Sequence, residues 1–300
     1  MSSNFTFIND ECVEVYKGSN YDKKCKKSKR VMVFDLDETL GSFIELNLLN
    51  NIIEQISKNK CNISFDELLD IYPEFLRNNI IHILKYIYRQ KTKKKLDKLY
   101  LYTNNQSRGK FVDNIISYFT NKVAKKKDKL FDQIIYAFKI NNQIVQIGRT
   151  SHNKTYQDFI QCTLLPKNTH VCFIDDFDFD EMKKEQIYYI QPKPYRHGLS
   201  SNEIIDRLYQ SPFFELIDPH MLAIKELFLS RCVQSKIYSL HSSRNNAFKI
   251  MQDEISKKIM YYVKDYFYIT NKIDCTRKKK KMINHFTRKN KVDKGKSLEV

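Results

Sequence analysis

Five short apolar runs punctuate the chain: VMVF at 31–34, LYLY at 99–102, a longer run at 134–140, VCFI at 171–174 and a weaker one at 187–190. Each is too short for a buried helix and reads as a strand covered on both faces. Between them lie stretches with helical spacing, at 74–89, 108–119 and 154–161. Strand and helix alternating in this way predict an α/β domain built on a doubly wound, mostly parallel sheet. Beyond 201 the strand signals stop, and 203–208, 221–229 and 248–263 carry the i, i+3, i+4 spacing of amphipathic helices. The expected organisation is a basic N-terminal segment (1–29), an α/β domain (30–200), a helical C-terminal appendage (201–275) and a basic, disordered tail (276–300). No internal repeat is present.

Composition bounds the function. Three hundred residues, 42% of them hydrophobic, suffice for one sizeable core, which grows efficiently to roughly 250 residues. A net charge of +17, from 52 Lys and Arg against 35 Asp and Glu, favours polyanionic partners such as nucleic acid or phosphorylated, acidic protein. A Lys-rich and Asn-rich surface also follows in part from an AT-rich genome. Lys23, Lys24, Lys26, Lys27, Lys29 and Arg30 crowd the approach to the first run. Seven scattered cysteines with no C-x-x-C pair argue against a disulfide framework or structural zinc and favour a reducing compartment. Cys172 lies in an apolar run and is expected in the core; His152, His170 and His197 read as surface or loop residues. With six glycines, no dinucleotide fingerprint or P-loop can be assembled. The start of the chain lacks a signal-peptide pattern and no run of about 18 apolar residues follows, so a soluble intracellular protein of cytoplasm or nucleus is expected, with no membrane partner.

The chemistry concentrates where the runs end. VMVF passes directly into DLDETL at 35–40, so Asp35 and Asp37 fall beyond the carboxyl end of a buried strand, where open α/β sheets bind ligands. Two carboxylates there repel one another, unless a hard divalent cation neutralises them and one carries a proton. That combination suits phosphoryl transfer: one carboxylate attacks phosphorus while the other protonates the leaving oxygen and later deprotonates water. Alone, an acidic turn after a strand is common.

The other ends add matching residue types. LYLY ends in Thr103-Asn104-Asn105-Gln106 before a predicted helix, and a hydroxyl with free backbone N–H groups at a helix start seats phosphate. Standing alone, Thr103 would read as a cap or turn residue. VCFI ends in Asp175-Asp176, a second acidic pair able to complete an oxygen-ligand shell for Mg2+. Asp178, Asp180 and Glu181 read as solvated loop. Lys154, expected to open a helix, is placed to offset phosphate charge in the transition state, and its position relative to the strands selects it over Lys167.

In this order, these four pieces resemble the motifs of the haloacid dehalogenase superfamily, a HAD-like, Rossmann-like fold. DLDETL, YTNN and IDD look most like the branch of NLI-interacting-factor-like phosphatases, related to RNA polymerase C-terminal-domain phosphatases, including versions in large DNA viruses. The resemblance covers about 30–197. It implies that Asp35 forms a phosphoenzyme and that Asp37 is the acid/base and lends its backbone carbonyl to Mg2+. Thr103, Asn104 and Lys154 would hold the phosphoryl group, and Asp176 would ligate the metal with support from Asp175. The chain departs from the pattern in having Asp rather than Asn at 176, a longer spacing from Lys154 to the acidic pair, and an insertion at 41–71. That insertion has room for a small cap of a helix or two, although short apolar helices there pack more often than they cover a site. A small cap leaves the site open, which favours a macromolecular phosphoester.

The resulting expectation is a Mg2+-dependent phosphatase acting on phosphoserine or phosphothreonine in a protein. The first alternative is a phosphatase of nucleic-acid ends, for which the basic charge is equally good support. The second is a non-catalytic, basic nucleic-acid-binding or scaffold protein with the same fold. The complete motif set argues against that second alternative.

Overall fold

The computed structural model describes residues 5–21, 28–57, 63–107, 110–235 and 246–295, with the side chains of the last helix described over 247–271. Lys23, Lys24, Lys26, Lys27, Arg108 and residues 296–300 therefore lie outside the described residues.

Three strands have the same origin: β3 (Arg30–Phe34), β4 (Lys98–Tyr102) and β8 (His170–Ile174). The apolar residues in each are almost wholly withdrawn from water, on both faces. Alternate residues serve two cores. Met32, Phe34, Leu99, Leu101, Cys172 and Ile174 face one, and Val31, Val33, Tyr100, Tyr102, Val171 and Phe173 the other. This explains runs without alternation.

β5 (Gln133–Ile135) and β9 (Ile187–Pro192) complete a parallel set, ordered β9-β8-β3-β4-β5 within a seven-stranded sheet. Within this parallel set the chain starts in the middle at β3, moves out through β4 to β5, then crosses back to β8 and out to β9. The sheet is thus doubly wound, with its topological switch point between β3 and β8.

The structure differs from expectation at both termini. The N-terminal segment contains a hairpin, β1 (Thr6–Asp10) and β2 (Val13–Lys17), which adds antiparallel strands beyond β9. The run at 134–140 divides: its first part is β5, and its second joins the separate hairpin β6 (Lys139–Ile140) and β7 (Gln143–Ile144). Asn141 and Asn142, both at positive φ (50° and 63°), form the turn.

The helical layer is lopsided. On one face lie α1 (Ile44–Ser57), α2 (Phe65–Ile71), α3 (Ile80–Thr92), α4 (Phe111–Val123), α6 (Ser201–Tyr209), α7 (Phe214–Ile217), α8 (Met221–Gln234) and α9 (Asn246–Gly295). The opposite face is covered by α5 (Tyr156–Thr163), through Phe159, and by a 3-10 turn carrying Met182. Two helix starts are capping boxes, Ser64 with Glu67 and Ser200 with Glu203, which satisfy backbone N–H groups the helix leaves open.

The structure differs from three of the domain expectations. The region after 201 is not an appendage: Ile204, Ile205, Leu208, Ile224 and Phe228 belong to the same core as β3 and β8, as do Ile255, Ile259, Tyr262, Val263, Tyr266 and Phe267 of α9. Asp265 of α9 accepts from Lys17 and Tyr188, each at 2.8 Å, and Tyr266 donates to the carbonyl of His170 at 3.0 Å. The tail expected to be disordered continues α9 as helical backbone to Gly295. The 41–71 insertion supplies α1 and α2, whose Leu46, Leu49, Ile52, Leu68 and Leu69 are buried in the core, so these helices pack and do not cap. No described helix is long and apolar enough to cross a membrane.

Candidate active site

The three critical strand ends share one construction. Asp35, Asp175 and Thr103 are each the first residue past their strand, and each still donates its N–H across the sheet, to Ile174 O (2.9 Å), Ile190 O (3.2 Å) and Ile135 O (3.0 Å). Their backbone is therefore held by the ladder, and the switch point places Asp35 and Asp175 side by side.

A cleft of 370 Å³ opens there, lined by Asp35, Asp37, Glu38, Asn104, Asn105, Lys154, Asp175, Asp176, Phe177 and Phe179. Carboxylate oxygens of Asp35, Asp175 and Asp176 lie within 4.8 Å of one another and form a group that could hold a metal ion. The carboxylate of Asp37 lies outside this group; the resemblance implies a ligand role for its backbone carbonyl, not its side chain. Asp176 is fixed by Thr39, whose hydroxyl donates to its Oδ1 (2.6 Å) and accepts from its N–H (3.0 Å).

Lys154 is 2% exposed and bridges Asp35 and Asp175, the latter at 2.7 Å. Burial disfavours its ammonium, but the two carboxylates outweigh that and hold its pKa above the ordinary value. It precedes α5 rather than opening it. Thr155 caps the helix by accepting from Asp158 N–H, and the buried Asp158 carboxylate in turn accepts from Thr150 N–H (2.9 Å). The loop 150–154 is thus clamped to the helix it precedes.

Asp37 is set apart from its neighbours. Burial first, and then the charge of Asp35, push its pKa up to about 7, against a hydrogen bond from Asn105 and the charge of Lys154. Asn105 Nδ2 donates to Oδ2 at 2.8 Å, while Oδ1 is buried without a partner. Asp176 is pushed up to about 6, by burial and Asp35, against the Thr39 hydroxyl.

The loop bearing Asp37 is locked from beneath. Glu38 adopts positive φ (58°), a strained conformation for a residue with a Cβ. Arg77, 1% exposed, donates to the carbonyls of Thr39 (2.6 Å), Glu38 (2.5 Å) and Lys193 (2.9 Å). Gly41 is obligatory: a Cβ there would lie 2.4 Å from Phe75 O.

Thr103 departs from the expectation. It is fully buried, its hydroxyl accepts from Asn105 N–H (2.9 Å), and α4 starts only at Phe111, so it does not sit at a helix start. A loop with a side chain hydrogen-bonded to its own backbone separates the two. Asn104 and Asn105 line the cleft instead.

No family model, curated protein or solved structure matches the chain. The argument for chemistry therefore rests on the residues and their placement.

Two histidines are corrected. His170 is buried in β8, its ring against Tyr21 O, and His197 is buried with Nε2 3.1 Å from Glu45. Hydrogen-bond partners, which sequence does not display, make their burial tolerable. Arg77, Arg149 and Asp158 were not singled out by sequence. The spacing Thr155-x-x-Asp158 is a legible helix-start signature, but nothing distinguishes two buried arginines among 52 basic residues.

Proposed function

We propose that the chain is a Mg2+-dependent phosphomonoester hydrolase with a HAD-like catalytic domain, working through an aspartyl-phosphate on Asp35. The observation that carries this reading is the convergence, at one switch point, of a three-carboxylate group, a buried lysine and a separate carboxyl group whose pKa burial and Asp35 push up to about 7.

The donor set fits a hard divalent cation, because its ligands are all carboxylate oxygens and the cleft is lined by five acidic side chains and one lysine. Asp35, Asp175 and Asp176 would hold it, and when bound it supplies charge neutralisation for the phosphoryl oxygens. The remaining steps belong to the chain. A carboxylate oxygen of Asp35 bonds to phosphorus as the ester P–O bond breaks, and Asp37 gives its proton to the departing oxygen. Asp37, now a carboxylate, takes a proton from water whose oxygen bonds to phosphorus. The Asp35–phosphorus bond breaks, and the site is restored. Lys154 offsets charge on the transferring group throughout.

The cleft has no helix of the 41–71 insertion among its lining residues, which supports a phosphoserine or phosphothreonine protein as substrate. The net charge of +17 supports nucleic-acid ends as the second reading. The test is hydrolysis of p-nitrophenyl phosphate with and without Mg2+, comparing wild type with Asp35→Asn. Mg2+-dependent turnover, lost in the variant, is expected. An inactive wild type, also inert toward phosphopeptides and 3′- or 5′-phosphorylated oligonucleotides, would leave a non-catalytic basic binding protein as the better account.

A further inference from the structure

Arg149 is 4% exposed, yet it faces no carboxylate within ion-pair distance among the described residues. Its two Nη groups are committed to the segments that carry Asn104 and Lys154 to the cleft. One donates to Thr103 O (3.1 Å) and Tyr136 O (2.8 Å), the other to Asn104 Oδ1 (2.7 Å) and His152 O (3.1 Å). The guanidinium lies over the Tyr102 ring, 4.7 Å from its centroid. One side chain thus ties the loop after β4 to the loop that presents Lys154.

The contact to Asn104 has a chemical consequence. An amide side chain offers one acceptor and one donor end, and its orientation follows from its partners. Because a guanidinium only donates, it must take Oδ1. The Nδ2 group donates to no described residue and Asn104 lines the cleft, so the amide is left with its donor end for a ligand. A free donor in the cleft that Lys154 also lines suits an anion.

We infer that Arg149 is a positioning residue that orients Asn104 as a hydrogen-bond donor to a phosphoryl oxygen and couples this donor to Lys154. The inference rests on the phosphohydrolase reading and names how that site recognises its anion. A lysine cannot replace Arg149, because a single ammonium lacks the planar fork that reaches four acceptors.

The experiment measures inhibition of p-nitrophenyl phosphate hydrolysis by inorganic phosphate, on the full chain with Mg2+. Asn104→Asp keeps an acceptor for Arg149 but replaces the donor with a charge that repels phosphate. It is expected to melt like wild type while weakening phosphate inhibition by about ten- to a hundredfold, the range for a hydrogen bond to a charged group. Arg149→Lys is expected to weaken phosphate inhibition and raise KM, and this effect should shrink in an Asn104→Ala background. Wild-type phosphate inhibition in Asn104→Asp would overturn the inference, as would an Arg149→Lys effect of equal size in both backgrounds. A wild type that neither turns over nor binds inorganic phosphate would instead bring down the phosphohydrolase reading itself.

Discussion

Replacing Lys154 with Met removes an ammonium of similar length from between Asp35 and Asp175, at a position 2% exposed. The volume is nearly kept, so the loss is electrostatic: two buried carboxylates remain facing Asp37 and Asp176 without a cation. Removing one partner of a buried ion pair costs about 3–5 kcal/mol. At about 2 °C per kcal/mol, the lower slope for larger domains, Tm should fall by about 6–10 °C. Divalent cation should then stabilise the variant more than wild type, because Lys154 no longer competes for Asp35 and Asp175; saturation at a hundredfold excess over Kd contributes about 2.7 kcal/mol. Thermal melts followed by circular dichroism, with Mg2+ or with chelator, read both effects. The Lys154→Met penalty should also shrink in an Asp175→Asn background, where one orphaned charge is gone. A Tm within about 2 °C of wild type in chelator, or an equal penalty in both backgrounds, would refute this account of the site's electrostatics.

Three further outcomes follow from the packing. Truncation before Asn246 removes six buried apolar side chains between Ile255 and Phe267; at about 1.5–3 kcal/mol each the loss is of the order of a domain's whole stability, about 5–15 kcal/mol, so the shortened chain should be recovered unfolded or insoluble. Gly41→Ala should destabilise strongly and abolish turnover, since its Cβ would meet backbone oxygen of Phe75 at 2.4 Å; wild-type Tm and activity would contradict the locked-loop description. Asp132 has its pKa lowered below 3.8, burial being outweighed by Lys91, Leu99 N–H and Lys98. A depressed carboxyl stabilises above its unfolded pKa and loses that contribution as pH falls through the folded value. The Tm gap between wild type and Asp132→Asn should therefore be full at neutral pH and close below about 3.8.

Much of the fold is legible in sequence because β3, β4, β8 and β9 are buried on both faces and must be apolar without interruption. The β1–β2 hairpin escapes notice for the opposite reason: its outer strand keeps Phe7 half exposed and mixes polar positions among apolar ones. Amphipathic spacing after 201 shows that a face must be covered, but not that the sheet itself covers it, which is why α6, α8 and α9 read as an appendage. At the site, Asp35, Asp37, Asp175 and Asp176 are legible because carboxylates fall at strand ends, and Lys154 because it falls just before a helix. Thr103 is at its expected strand end but spends its hydroxyl on its own loop. The roles of Arg77 and Arg149 depend on carbonyls gathered from distant segments, and no local pattern announces that.

The most direct test of the central claim is acid quenching of the protein during incubation with a phosphomonoester and Mg2+, followed by mass spectrometry of its peptides. A phosphoryl adduct on Asp35, absent in Asp35→Asn, is the expected result. Turnover with no adduct on Asp35, together with retained activity in Asp35→Asn, would contradict it.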